Sequence, residues 1–354
     1  METYNSNIIS PKISIAPMVD VTHKHFRYFT RLMTKDALLY TEMVSAKSIL
    51  YGDIDKILGF NEEEGKVALQ IAASNPDDAY KAVKIAEDFN YSEINLNCGC
   101  PSDRVSGNLM GAALMSSKNL VYEILCAMKE ATSKPITIKH RIGIDGTGVI
   151  EDGFGKQVME GYDDLIDFLE TVSRAKPDRY IIHARTAILK GLSPKENRQI
   201  PPLDHDMVYR LKEEFNYFNI EINGVFKTLS SIKDALTKVD GVMLGRVAYE
   251  DCYLLAHLHK LWQDENERTT ISRGELIKAY EPYVQQELEK GISIYTLVEP
   301  LQSLFHGQKG NKYYKQLLAS PSVKKERFTN IIDQILNKMP HDLLWGTTYL
   351  SDQE

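Results

Sequence analysis

Cysteine is scarce in this chain: four in 354 residues, at positions 98, 100, 126 and 252. So few and so scattered, they build no disulfide framework, and a reduced, cytoplasmic protein is the expectation. Long apolar runs are missing too. No stretch approaches the roughly 18 uninterrupted apolar residues of a membrane-crossing helix. Met1 to Ser10 lacks the basic and apolar blocks of a secretory signal. Two phosphate-binding signatures are also absent: there is no Gly-x-x-x-x-Gly-Lys-[Ser/Thr] stretch and no Gly-x-Gly-x-x-Gly after a strand. A separate nucleotide-binding domain is therefore not expected. Positive charge is in deficit, with 42 Lys and Arg against 49 Asp and Glu, a net charge of −7. That total does not exclude a nucleic-acid partner, because phosphate contacts depend on where basic residues sit.

What remains is ordinary globular material, 43% hydrophobic and 26% charged. Short β-branched runs recur between helical patterns. Lys12 to Ala16, Leu38 to Glu42, Lys66 to Ile71 and Glu93 to Asn97 read as four buried strands. Ile136 to His140, Tyr180 to Ala184, Asn219 to Asn223 and Gly241 to Gly245 read as four more. Helical periodicity fills Pro76 to Phe89, Leu120 to Ala131, Asp163 to Arg174 and Leu229 to Leu236. Eight strands alternating with helices predict a (β/α)8 TIM barrel, for which about 250 residues suffice. An open doubly wound sheet is the competing architecture. Gly143 to Gly161, rich in glycine and acids, reads as a long flexible loop, either a solvated insertion or a lid. Residues 263–272 are polar and read as a linker. Only helical periodicity follows, which sets a barrel over 1–262 apart from an all-helical domain over 273–345.

Polar and special residues collect just after the predicted strand ends, where a barrel carries its active site. Asn97-Cys98-Gly99-Cys100-Pro101 ends the fourth strand. A thiol there can serve as nucleophile, metal ligand or proton donor. A Cys-x-Cys pair without a second cluster is a weak metal signal, and no metal is expected. A free thiol titrates near about 8.5, so it keeps its proton at neutral pH, as an acid must. Cys98 reads as a packing residue. Lys139 and His183 share the same mouth, and Gly245-Arg246 follows the last strand. Late loops of such barrels commonly hold phosphate. A phosphate-bearing cofactor with Lys139 over its ring system fits flavin mononucleotide.

These residues give the chain its resemblance. Ala16 to Asp20, Leu39 to Met43, Val67 to Gln70, the cysteine loop through Arg104-Val105, Lys139 to Asp145, Ile182 to Arg185 and Gly191 to Arg198 carry it. From about Ile13 to about Leu318 the sequence resembles the tRNA-dihydrouridine synthases, in particular the bacterial-type subfamily acting at D-loop uridines 20/20a. The resemblance implies flavin contacts from Pro17, Met18, Val19, Gln70, Lys139, His183, Asn223, Gly224, Val225, Gly245 and Arg246. It implies that Cys100 is the catalytic cysteine and that Asn97 touches the RNA. Lys195, Arg198, Lys312 and Lys315 match positions that hold tRNA. NADPH as the reductant is likewise an implication of the resemblance. The chain departs from the family's pattern at Val225, where glycine is usual, at Cys98, where an apolar residue is common, and in the length of the glycine-rich loop.

The reaction so implied is reduction of the uracil C5=C6 bond, with hydride from reduced flavin and a proton from Cys100. The target base must leave its stack to reach the barrel mouth. Between His306 and Arg327 lie six basic residues (Lys309, Lys312, Lys315, Lys324, Lys325, Arg327) against one acid, Glu326. Tyr313 and Tyr314 are interleaved, and the run reads as an RNA-docking face on a protein expected to work as a monomer. Two rivals stand beside this reading: a flavin barrel acting on a free pyrimidine, and an RNA-binding protein without turnover.

Overall fold

The structure is a computed structural model that describes residues 11–102, 110–145, 159, 161–263, 269–319 and 328–349. Eight parallel strands close into a barrel in sequence order: β1 Ile13–Ile15, β2 Leu38–Ser45, β3 Val67–Ala72, β4 Glu93–Cys98, β5 Ile136–Ile144, β6 Tyr180–Ala187, β7 Ile220–Asn223 and β8 Gly241–Leu244. Closure comes from β1 pairing with β8, Ile13 opposite Val242 and Ile15 opposite Leu244. The open-sheet alternative is thereby ruled out. Parallel strands covered by helices are buried on both faces, which explains their near-continuous apolar sequences. β5 outruns its predicted end by four residues and reaches Ile144, where Met159 bridges back to it. A Cβ on Gly143 would collide with Met159 O, so this close approach demands glycine. Residues 146–158 and 160 of the Gly143 to Gly161 loop lie outside the described residues, and so does its lid reading.

The crossover helices follow from their apolar spacing. The Lys118–Ala131 helix buries Val121, Ile124, Leu125, Met128 and Ala131, one stripe at helical period. Asn75 starts the Pro76–Ala86 helix by accepting the Asp78 N–H at 2.8 Å, with proline at its first position. Past the polar segment, Ser272 and Glu275 form a capping box at the head of the Arg273–Glu289 helix. This helical C-terminal region packs on the barrel's Lys24–Met33 helix through Tyr28 and Tyr283, whose rings stack at 3.8 Å. The Tyr283 hydroxyl sits 2.7 Å from His25 Nδ1. No helix among the described residues is long and apolar enough to cross a membrane.

Inside the barrel the filling is layered. Ala16, Leu38, Tyr40, Ala68, Ile181 and Met243 make an apolar plug. At the N-terminal end of the strands, Arg179 is clamped to Glu93 at 2.6 and 2.7 Å and to Glu221 at 2.9 Å. Tyr40 donates to Glu93 at 2.7 Å, and Ser14 donates to Glu221. All five side chains are buried. The C-terminal end is different: it opens into a cavity.

Candidate active site

The cavity occupies about 730 Å³ at the C-terminal mouth, a size suited to a cofactor plus part of a substrate. Each strand end at which the sequence predicts flavin contacts contributes to it. Pro17, Met18 and Val19 come from the loop after β1, Gln70 from β3, and Asn97 and Cys100 from the end of β4. Lys139 comes from β5, His183 from β6, and Asn223, Gly224 and Val225 from β7 and its loop. Gly245 and Arg246 follow β8, and Arg198 reaches in from the segment after β6. The other three predicted RNA contacts stay outside the cavity. Lys195 is exposed beside Pro194, and Lys312 and Lys315 are exposed on the Asn311–Ala319 helix. Lys324, Lys325 and Arg327 lie outside the described residues.

Strand pleating accounts for the convergence, since alternate residues face inward. On β5 that puts Thr137, Lys139 and Arg141 on the barrel's inner side. Burial lowers Lys139 to about 8, Arg141 pushes the same way, and Cys100 opposes them. Lys139 has no hydrogen-bond or ion-pair partner among the described residues. His183 is held well below its ordinary value by burial, with Arg141, Lys139, Arg185 and Arg198 adding to it. It is therefore a neutral imidazole at pH 7, able to donate from one nitrogen and accept at the other.

The cysteine loop is held by side-chain amides. Asn97 Oδ1 accepts the N–H groups of Gly99 (3.2 Å) and Cys100 (3.1 Å), while Asn97 Nδ2 donates to Gln70 Oε1 at 2.7 Å. Cys100 itself is partly exposed to the cavity. Cys98, two residues earlier, is fully buried among apolar side chains, and burial drives its thiol strongly upward, which fits a packing residue.

Sequence reasoning missed Arg141. It lines the cavity and donates to three carbonyls, Gly99 at 2.9 Å and Thr186 and Asn197 at 3.1 Å each. Thus it ties the cysteine loop to β6 and to the segment carrying Arg198. The period-2 spacing from Lys139 was the signal that could have found it. Lys227 also lines the cavity, bringing its cations to five (Lys139, Arg141, Arg198, Lys227, Arg246) against two acids, Asp20 and Glu250. A mouth this cationic on a net-acidic chain attracts anions.

A phosphate-bearing ring cofactor suits these groups. Asn223 spends its amide N–H on Met243 O at 2.9 Å. Gly224, at φ +153°, is braced by His205, whose Nε2 lies 2.6 Å from its carbonyl. Val225 then adopts φ +54°, a left-handed conformation that β-branched residues resist. The helix after Arg246 has only four residues, Val247–Glu250. A four-residue helix offers an anion little dipole, which leaves loop N–H groups and the Arg246 guanidinium as the donors available there. Nε of Arg198, which lines the cavity, is buried without a partner among the described residues. Buried donors of this kind usually find one.

A family model described as dihydrouridine synthase matches residues 14–339. A tRNA-dihydrouridine(20/20a) synthase of Synechocystis sp. is 43% identical over 313 residues, covering 88% of this chain and 89% of its own length. One from Vibrio parahaemolyticus is 41% identical over 335 residues, 94% of this chain and 98% of that one. A third, from Xylella fastidiosa, is 42% identical over 327 residues, 92% of each.

Proposed function

The chain belongs to the dihydrouridine synthase family, and we propose that it reduces uridine to 5,6-dihydrouridine at D-loop positions 20/20a of tRNA, using flavin mononucleotide and NADPH. One observation carries the reading: Cys100 and the eleven residues matched to flavin contacts line a single cavity at the mouth of a closed barrel. Relatives named for this reaction, matched over nearly their whole length, support the substrate.

When bound, the reduced flavin supplies hydride chemistry, here at uracil C6. The chain's own residues do the rest. Cys100 gives its proton to C5, which leaves a thiolate within the field of Lys139 and Arg141. That thiolate regains a proton from solvent before the next turnover. Asn97 and Gln70 fix the loop that carries the thiol. Neutral His183 would hold the cofactor by a hydrogen bond without adding charge, and Arg246 and the Gly224-Val225 turn would hold its phosphate. Pro17, Met18 and Val19 border the cavity on the β1 side. The target base would have to leave its stack and enter the cavity to reach Cys100.

Lys195, Arg198, Lys312 and Lys315 belong to the same proposal as phosphate contacts for tRNA. So do the division between a catalytic 1–262 and an RNA-docking 273–345, the cytoplasmic location and the monomeric state. Binding through such contacts weakens steeply with salt.

The test is direct. Purified protein should be yellow and release flavin mononucleotide on denaturation. Given unmodified tRNA and NADPH, it should form dihydrouridine at 20/20a. Cys100→Ala should lower the rate by about 10²- to 10⁴-fold, the range for loss of a general acid. Protein that binds flavin but leaves tRNA unchanged and turns over a free pyrimidine would defeat the proposal in favour of a small-molecule flavin barrel.

A further inference from the structure

Glu93, Asn95 and Asn97 alternate along β4, and all three side chains are buried in the barrel's interior. Hydrogen bonds join them into a chain with a direction. Thr137 Oγ1 donates to Glu93 Oε1 at 3.1 Å, and Asn95 Nδ2 donates to Thr137 Oγ1 at 2.9 Å. Gln70 Nε2 donates to Asn95 Oδ1 at 2.8 Å, and Asn97 Nδ2 donates to Gln70 Oε1 at 2.7 Å. The chain ends where Asn97 Oδ1 accepts the Gly99 and Cys100 N–H groups. It spans the five residues from Glu93 to Asn97, about 13 Å of strand.

We infer that the Glu93–Arg179 pair at the closed end of the barrel fixes, through this one-way chain, the orientation of Gln70 and Asn97 and with it the position of Cys100. Side-chain amides can ordinarily sit in either of two flips. Here both ends remove the choice. A carboxylate clamped by a guanidinium only accepts, so Thr137 must donate to it. The Thr137 oxygen then accepts from the Asn95 amide nitrogen, and each following amide inherits its orientation. At the mouth, backbone N–H groups only donate, so Asn97 must offer its oxygen. Opposite ends thus demand the same polarity, and no group within the chain is left facing its own kind. Thr137 and Asn95 are positioning residues that touch neither the cavity nor Cys100. Their effect reaches the thiol only through Gln70 and Asn97.

The proposed function enters only in what Cys100 does; the placement of its thiol is testable without it. Thr137→Val removes one hydroxyl at nearly constant volume. Cys100 alkylation by iodoacetamide, followed peptide by peptide in folded, flavin-free protein, should change in rate at least about threefold, the size of one hydrogen bond's net effect. Alongside, kcat for tRNA reduction should fall about tenfold with KM for tRNA little changed. Thr137→Ser should restore both. Ser14→Ala, at the same closed end but bonded to Glu221 outside the chain, should move neither. Folded T137V with wild-type alkylation and kcat would overturn the inference, as would T137S no better than T137V. Should T137V not fold, Asn95→Ser cuts the adjoining link and is read by the same criteria. If the wild-type protein reduces no tRNA, the proposed function fails, yet the alkylation comparison still decides this inference.

Discussion

The two ends of the barrel hold similar side chains in opposite states. At the N-terminal end, Arg179 meets two carboxylates, and Tyr40 and Ser14 fill the remaining acceptor sites. At the C-terminal mouth, Lys139 has no such partner among the described residues, and Nε of Arg198 is buried without an acceptor. Both ends take charge out of water. Only the closed end answers it with buried carboxylates. The mouth leaves donors and cations for something that arrives, which is what a binding site for anionic ligands requires.

Breaking the closed end should have the largest effect. Arg179→Met strands Glu93 and Glu221 in the interior, where Glu221 is already pushed upward by burial against the opposing pull of Arg179. The loss should be about 3–5 kcal/mol, read as a lower urea midpoint at unchanged slope. The same change at the mouth should do the reverse. Lys139→Met removes an uncompensated cation, so the flavin-free protein should be as stable as wild type or more so. Its kcat/KM on tRNA, however, should drop on the order of a hundredfold. If K139M were as destabilised as R179M, the contrast between the ends would collapse.

Val225 offers a smaller test. Glycine in its place relieves the left-handed strain and should stabilise the protein by about 0.5–1 kcal/mol, net of glycine's greater unfolded-state entropy. Thermal unfolding of V225G reads that difference. The gentlest probe is pH. Lys139 sits at about 8 in the folded protein, below the value near 10.4 that it takes when unfolded. Between those values the unfolded chain binds more protons, so this group makes stability rise with pH. Flavin-free wild type should therefore gain on K139M from pH 8 to pH 10. A flat difference across that window would place Lys139 in a wetter setting than its burial implies.

Much of the cavity lining was legible in the sequence because barrels gather their strand-end loops at one face. Residues as distant as Pro17 and Arg246 could be grouped on that rule, and both line the cavity. Arg141 escaped because a cation within a strand reads as one more polar position until its three carbonyl acceptors are known. The alternation Glu93-Ile94-Asn95-Leu96-Asn97 was visible throughout. A strand buried on both faces should have carried apolar residues there, so the pattern signalled a polar interior. It could not say which groups answer it, because Gln70 and Thr137 lie on other strands and Arg179 lies just before β6.

From sequence alone came the eight-strand count, the helical C-terminal region, the family and the thiol on its strand-end loop. Each rests on local periodicity or on motifs contiguous in the chain. Tertiary structure alone decided which interior charges are matched and which are open, and which way each amide points. Those properties belong to pairs of atoms on different strands, and only closure of the barrel brings such pairs within hydrogen-bonding distance.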